Sequence, residues 1–324
     1  MQAFWGARSA GQILRLAVYE QNCPAARTAG WKSRTPNASK GIKPGAIATA
    51  PWAIIGRVPF TLAHAAAAYP LRRTRLVLSA LIIGTFTPDL EFFLRFAPRG
   101  PFSHTPRGLF LFCLPVGFVV YWLFHAVVKE PLAALLPRAA RERVPADPYP
   151  LSPRQPLKFA LVLVSILVGA LTHLLWDAFT HADHWPARHW PFLLQAVTLP
   201  LLGVVHVHTL LQYASSVFGC LAVFFWFRHW ARTAPIQRVS AGSTVPPAQV
   251  RIARIAIPAF ALVGAAIRPL IGTGHAPTHR GVEFWLGEFV VTAISLVWLE
   301  LMAWGLTLPL PAVHDNSRQA ADSD

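Results

Sequence analysis

Charge is scarce in this chain. Asp, Glu, Lys and Arg make up 13% of its 324 residues, where a soluble domain carries about a quarter. So thin a charged coat excludes an ordinary water-soluble globule. Acid is the scarcer sign, with 14 Asp and Glu against 29 Lys and Arg. Cysteine is nearly missing as well: Cys23, Cys113 and Cys220 form no C-x-x-C pair, which excludes a disulfide framework and a thiolate zinc site. Cys113 and Cys220 lie in apolar segments and read as small packing residues. There is no G-x-x-x-x-G-K-[ST] phosphate loop, no G-x-S-x-G elbow and no H-E-x-x-H. The net charge of +15 raises the question of nucleic acid, but no helix repeats basic residues along a reading face, so that class is excluded too.

Apolar residues fill the gap. They form 54% of the chain and fall in blocks near the roughly 20 residues needed to cross a bilayer. Six candidate spans follow: Leu76–Phe96, Gly108–Val128, Leu157–Thr180, Val205–Phe227, Ile252–Gly272 and Phe284–Leu306. The expected fold is all-α, a polytopic transmembrane helical bundle whose first span is broken by "TPDLE" (Thr87 to Glu91). Irregular backbone at that depth needs protein or water around it. The stretch Pro59 to Leu71 is a further candidate to dip into the bilayer.

Lys and Arg are spread unevenly between these spans. Arg72, Arg73 and Arg75 precede the first, and five basic residues from Lys129 to Arg154 separate the second from the third. Only Arg188 follows the third, and only Arg280 lies between the fifth and sixth. The alternation fits the positive-inside rule for a bacterial cytoplasmic membrane with both termini cytoplasmic. Residues 1–57 differ from the rest, with eight Lys and Arg, one Glu and no long apolar run. They read as a disordered basic leader, with a helical membrane domain over 58–310 and a polar tail over 311–324. "VPFTLAH" (Val58 to His64) looks like a protein start, which would make the leader an upstream mis-start; a genuine basic tail on the membrane surface is the alternative.

Polar groups interrupt the apolar blocks at a few places. His173, Asp177 and His181 are at i, i+4 and i+8, with Thr180 on the same stripe. By the charge count they approach the outer side, as do Asp89, Glu91, Ser103 and His104. Charged groups in spans are costly and usually functional. Imidazole and carboxylate donors suit zinc and other divalent metals, and a catalytic metal leaves a position for water. Asp89 or Asp177 is then ligand or base. The structural alternative gives these residues caps and ion pairs: Asp177 with His173 or Arg107, and the Asp of "TPD" as a helix cap. His206 and His208 face different ways on a helix. Gln212, Ser215 and Ser216 read as links between helices, Arg268 and Glu300 as a structural pair, and Glu283 and Glu288 as solvated. Trp185 and Trp190 read as interface anchors.

"PFTLAHAAAAYPL", "LSALIIGTFTPDLEFFLRF", "SHTPRGL" and "GALTHLLWDAFTH", in that order, resemble a bacterial membrane family known as domain-of-unknown-function family 4184. Its members typically begin at the Pro-Phe-Thr motif. More distantly, the pattern is similar to inner-membrane proteins described as metal-dependent hydrolases. That likeness implies metal positions at His64, Asp89, His104, His173 and Asp177. It also departs from the relatives' Pro-Asp-x-Asp, because Glu91 takes the second acidic place. The functional expectation is a metal-dependent hydrolase with its site near the outer interface, acting on a lipid or membrane-associated ester or phosphoester. A non-enzymatic transporter or scaffold with a proton-relaying cluster is the alternative. N-terminal sequencing of the native protein is expected to begin at position 58; a chain intact from Met1 contradicts the start-site reading.

Overall fold

The structure is a computed structural model describing residues 61–97, 101–145, 155–182, 184–199, 203–237, 240–242, 245–273 and 279–308. The leader 1–57 and the tail 311–324 lie outside the described residues. The chain opens with a short helix α1 (Thr61–His64), a 3-10 turn and α2 (Ala68–Leu71). After a turn rich in Arg comes α3 (Leu78–Phe86), a 3-10 break at Thr87–Asp89 and α4 (Leu90–Arg95). Then follow α5 (Pro106–Leu135), which widens into π-type turns at Leu109–Cys113 and Phe124–Val128, a short α6 (Arg138–Arg141) and α7 (Pro156–Thr180). Beyond α7 lie α8 (Trp185–His189), a 3-10 turn at Pro191–Leu194 and an antiparallel hairpin of β1 (Ala196–Leu199) and β2 (Gly203–His206). Three long helices finish the chain: α9 (Val207–Thr233), α10 (Pro247–Thr273) and α11 (His279–Thr307).

Five of these helices are long and apolar enough to cross a membrane, and the chain is an integral membrane protein. The first expected span is the broken one. α3 has nine residues and α4 six, too short to cross singly at 1.5 Å per residue. Pro88 and the 3-10 turn separate them, and Phe96 ends α4 in the left-handed region at φ 53°.

The core forms where α3 lies on α7. Val162, Ser165, Ile166, Gly169, Ala170, His173, Asp177 and Thr180 are the buried residues of α7, at three- and four-residue intervals that make one helical face. Leu171 and Leu175 on the other face are exposed, as lipid-facing residues would be. Ala80, Ile83, Tyr121, Val162 and Ile166 pack together at this crossing.

Two glycines set how close the helices come. A Cβ on Gly84 would fall 2.9 Å from the carbonyl carbon of Ile166, and one on Gly169 would fall 2.8 Å from the backbone nitrogen of Thr85. Small residues let helix backbones approach where no hydrophobic force drives them together. Lower down, the backbone N–H of Val77 donates to Ser165 Oγ at 2.9 Å, so α3 starts level with the middle of α7. At the far end, the segments flanking α6 and following α9 are strapped together. Gln237 N donates to the Glu142 carbonyl and Ala241 N to that of Val144.

Several polar residues sit differently from the sequence expectation. Glu288, read as solvated, is buried, because α11 turns it inward on a stripe with Thr292 and Ser295, and Ser295 Oγ donates to the Phe93 carbonyl at 2.9 Å. Ser215 and Ser216 bond back to the Gln212 carbonyl within α9 instead of to a neighbouring helix. No ion pair joins Glu300 to Arg268 among the described residues, and Glu300 Oε2 has no hydrogen-bond partner there, so the expected structural pair is not formed.

The glycine crossing yields a test. Gly169→Val is expected to lower stability by about 2 kcal/mol or more, since rigid backbone cannot make way for the added carbons. Gly264→Ala would meet mainly the flexible end of Leu296 and is expected to cost well under half as much. Thermal unfolding in detergent reads both; equal losses would contradict a backbone-limited crossing.

Candidate metal centre

The α3–α7 crossing carries the polar stripe of α7 up against the 3-10 break. Thr85, one residue after Gly84, presents its carbonyl oxygen 2.8 Å from His173 Nδ1. A carbonyl only accepts, so Nδ1 carries the hydrogen. In the neutral ring the lone pair is then on Nε2. That atom is buried and has no hydrogen-bond partner of good geometry among the described residues. It lies 3.1 Å from Asp177 Oδ2 and 3.6 Å from Asp89 Oδ1. An imidazole lone pair this close to two carboxylate oxygens is repulsive unless a cation or a proton sits among them.

Asp89 reaches this point because the "TPD" turn ends α3 there. Thr61 Oγ1 donates to its Oδ2 at 2.5 Å, which occupies one oxygen and leaves Oδ1 toward the imidazoles. His104 comes from the loop before α5, whose start is fixed by Thr105 Oγ1 accepting from Gly108 N at 2.9 Å and by Pro106 in the first turn. Its Nε2 is 3.6 Å from Asp89 Oδ1 and 3.7 Å from Asp177 Oδ2, while Nδ1 lies 3.1 Å from Ser103 Oγ. His64 arrives on α1. Its ring stacks on that of His173 with centroids 3.8 Å apart, and its Nε2 is 3.6 Å from Asp177 Oδ1.

By the charge count His64, just ahead of Arg72, Arg73 and Arg75, falls on the side opposite Asp89. The structure brings them together because α1 and α2 run alongside a short α3, and the Arg-rich turn between them returns the chain at the level of Ser165. α1 is seated against α9, where a Cβ on Gly219 would meet Ala63 at 2.8 Å.

Two groups of donors lie close enough to hold an ion: His64, His173 and Asp177, and Asp89, His104 and His173. They share His173 Nε2, whose single lone pair serves one ion. Three imidazoles and two carboxylates offer the mixed nitrogen and oxygen set that divalent metals take. Two carboxylates would neutralise a divalent charge, which matters in a low-dielectric setting. The donors thus fit such an ion, though they do not select zinc over others.

His181 stands apart from this set. α7 ends at Thr180 and His181 adopts extended backbone (φ −121°, ψ 133°), so the i+8 position leaves the stripe. Its Nδ1 lies 3.1 Å from the Asp177 carbonyl and 3.1 Å from Thr180 Oγ1, at the helix end. Glu91 is committed elsewhere as well. Oε1 accepts from Arg95 at 2.8 and 3.1 Å, and Oε2 accepts from Ser103 N at 2.8 Å. It anchors the loop that carries His104. His206 ends β2 and His208 opens α9; their rings stack at 5.5 Å, and His208 Nδ1 is taken by the Leu193 carbonyl.

The chain matches the family described as Domain of unknown function (DUF4184) over residues 58–306. It belongs to that family. Comparison with curated proteins and with solved structures found no match. In this DUF4184 chain, Thr61 orients Asp89 and Ser103 holds His104, roles that the helical period does not predict. The signal was present in "PFTLAH" and "FSHTP", each with a hydroxyl within three residues of a histidine.

Partners behind metal ligands typically contribute about 10- to 100-fold in metal affinity. Thr61→Val, which frees Asp89 Oδ2, is expected to weaken divalent metal binding within that range in a chelator competition. Unchanged affinity would show that the Thr61 bond does not support the ligand.

Proposed function

We propose that this protein is a metal-dependent hydrolase of the bacterial cytoplasmic membrane, with both termini cytoplasmic and its site near the outer interface. The observation that carries the reading is the unbonded His173 Nε2 facing the carboxylates of Asp89 and Asp177. His64, His104, His173, Asp89 and Asp177 would hold one divalent ion, zinc being one candidate. Such an ion supplies Lewis acidity, polarising an ester or phosphoryl oxygen and easing the ionisation of water.

The residues divide the remaining work by exposure. His173 and Asp89 are sealed in, and Thr61 fixes Asp89; they orient. His64, His104 and Asp177 keep partly accessible side chains, so the substrate approaches along their edge. Asp177, with an oxygen toward each of these imidazoles, would serve as the base that takes a proton from water where the other four donors hold the ion. A lipid or membrane-associated ester or phosphoester is the substrate class, because the site sits one helical turn from the end of a span. A proton relay is the second reading. A proton on His173 Nε2 would also relieve its 3.1 Å approach to Asp177, as in a transporter.

Elemental analysis of purified, detergent-solubilised protein separates the two. The hydrolase reading expects about one divalent ion per chain, lost in His173→Ala and Asp177→Ala while the proteins stay folded. A folded wild-type protein that neither retains nor takes up metal would leave only the relay.

A further inference from the structure

Between the end of α7 and the start of α9 the described residues form a cap of short elements, none long enough to cross a membrane by itself. It comprises α8, the 3-10 turn at Pro191–Leu194 and the β1–β2 hairpin. A lone two-stranded hairpin is marginal in water. This one is tied to the bundle by Val207 N donating to the Gln195 carbonyl and by His208 on the Leu193 carbonyl. Large apolar side chains are exposed on the cap. Trp185 is 62% exposed, Phe192 50% and Val204 67%, with Trp190 and Leu194 exposed beside them.

That surface continues the lipid-facing wall of α7. Leu171, Leu175 and Trp176 are exposed along the helix, and Phe179 then touches Trp190 with ring centroids 5.6 Å apart. The charge on the cap has one sign. From Trp185 to His208 the sequence contains Arg188 and three histidines but no Asp or Glu, and Arg188 and His189 are exposed. Aromatic rings beside cationic side chains suit the headgroup layer, where the rings enter the upper acyl region and the cations meet lipid phosphate.

We propose that α8, the Pro191–Leu194 turn and the two strands of the hairpin lie immersed in the lipid leaflet beside the His and Asp cluster, as a collar at headgroup depth. The occupant of its apolar face is lipid. The collar would set the cluster's end of α7 at the level of the headgroups. It does not depend on any metal being bound.

The test uses the full chain in vesicles of phosphatidylcholine and phosphatidylglycerol, with bromine on the upper acyl carbons of part of the phosphatidylcholine. The fluorescence difference between wild type and Trp185→Phe/Trp190→Phe isolates the two collar rings. Both are exposed, so the double variant is expected to elute from size exclusion as the wild type does. That difference signal is expected to be largely lost in brominated vesicles and to resist water-soluble acrylamide. Quenching by acrylamide in place of bromine would put the collar in water. Protection from both quenchers would mean that a second copy or another protein covers it. Either result overturns the proposal. His173→Ala, which removes the metal reading's main ligand, is expected to leave the quenching unchanged.

Discussion

Two helix backbones touch at Gly84 and Gly169, and the cluster's geometry follows from that contact. A side chain at either glycine would run into main-chain atoms of the opposite helix. The approach leaves the Thr85 carbonyl within hydrogen-bond reach of His173, one turn beyond Gly169. Holding Nδ1 by its hydrogen settles which nitrogen faces the carboxylates. A wider crossing would release the ring to turn, and the opposed lone pair and carboxylate oxygens would no longer be enforced.

The remaining donors are brought by different devices to the same point. A 3-10 turn delivers Asp89, a capped helix start with a Glu91-anchored loop delivers His104, and a short helix seated on Gly219 delivers His64. Broken helices suit this task in a bilayer. A straight span presents donors only along its own stripe, whereas half-helices end inside the protein and offer loop residues at depth, where their freed backbone groups are bonded within the bundle. The integral membrane character and the polar cluster therefore share a cause.

Much of this was legible in the sequence, and the illegible parts have physical reasons. The long spans showed as apolar blocks, and His173 with Asp177 showed through the helical period. That period stopped applying at Thr180, which is why His181 was expected on a stripe it leaves. Charge counting assigned whole spans to sides and had no means to represent a half-span. His64, ahead of the first span, therefore falls on the cytoplasmic side by that count. The β hairpin was missed because "AVTL" and "GVVH" are too short to alternate visibly. Glu288 was misjudged as solvated because burial depends on which neighbour α11 meets, and that information is not in its own segment.

X-ray absorption at the edge of whatever divalent metal the purified protein takes up tests the central claim most directly. The account predicts a first shell of nitrogen and oxygen donors without sulfur, showing imidazole scattering that diminishes in His173→Ala. A first shell without imidazole, in folded protein that carries metal, would contradict it.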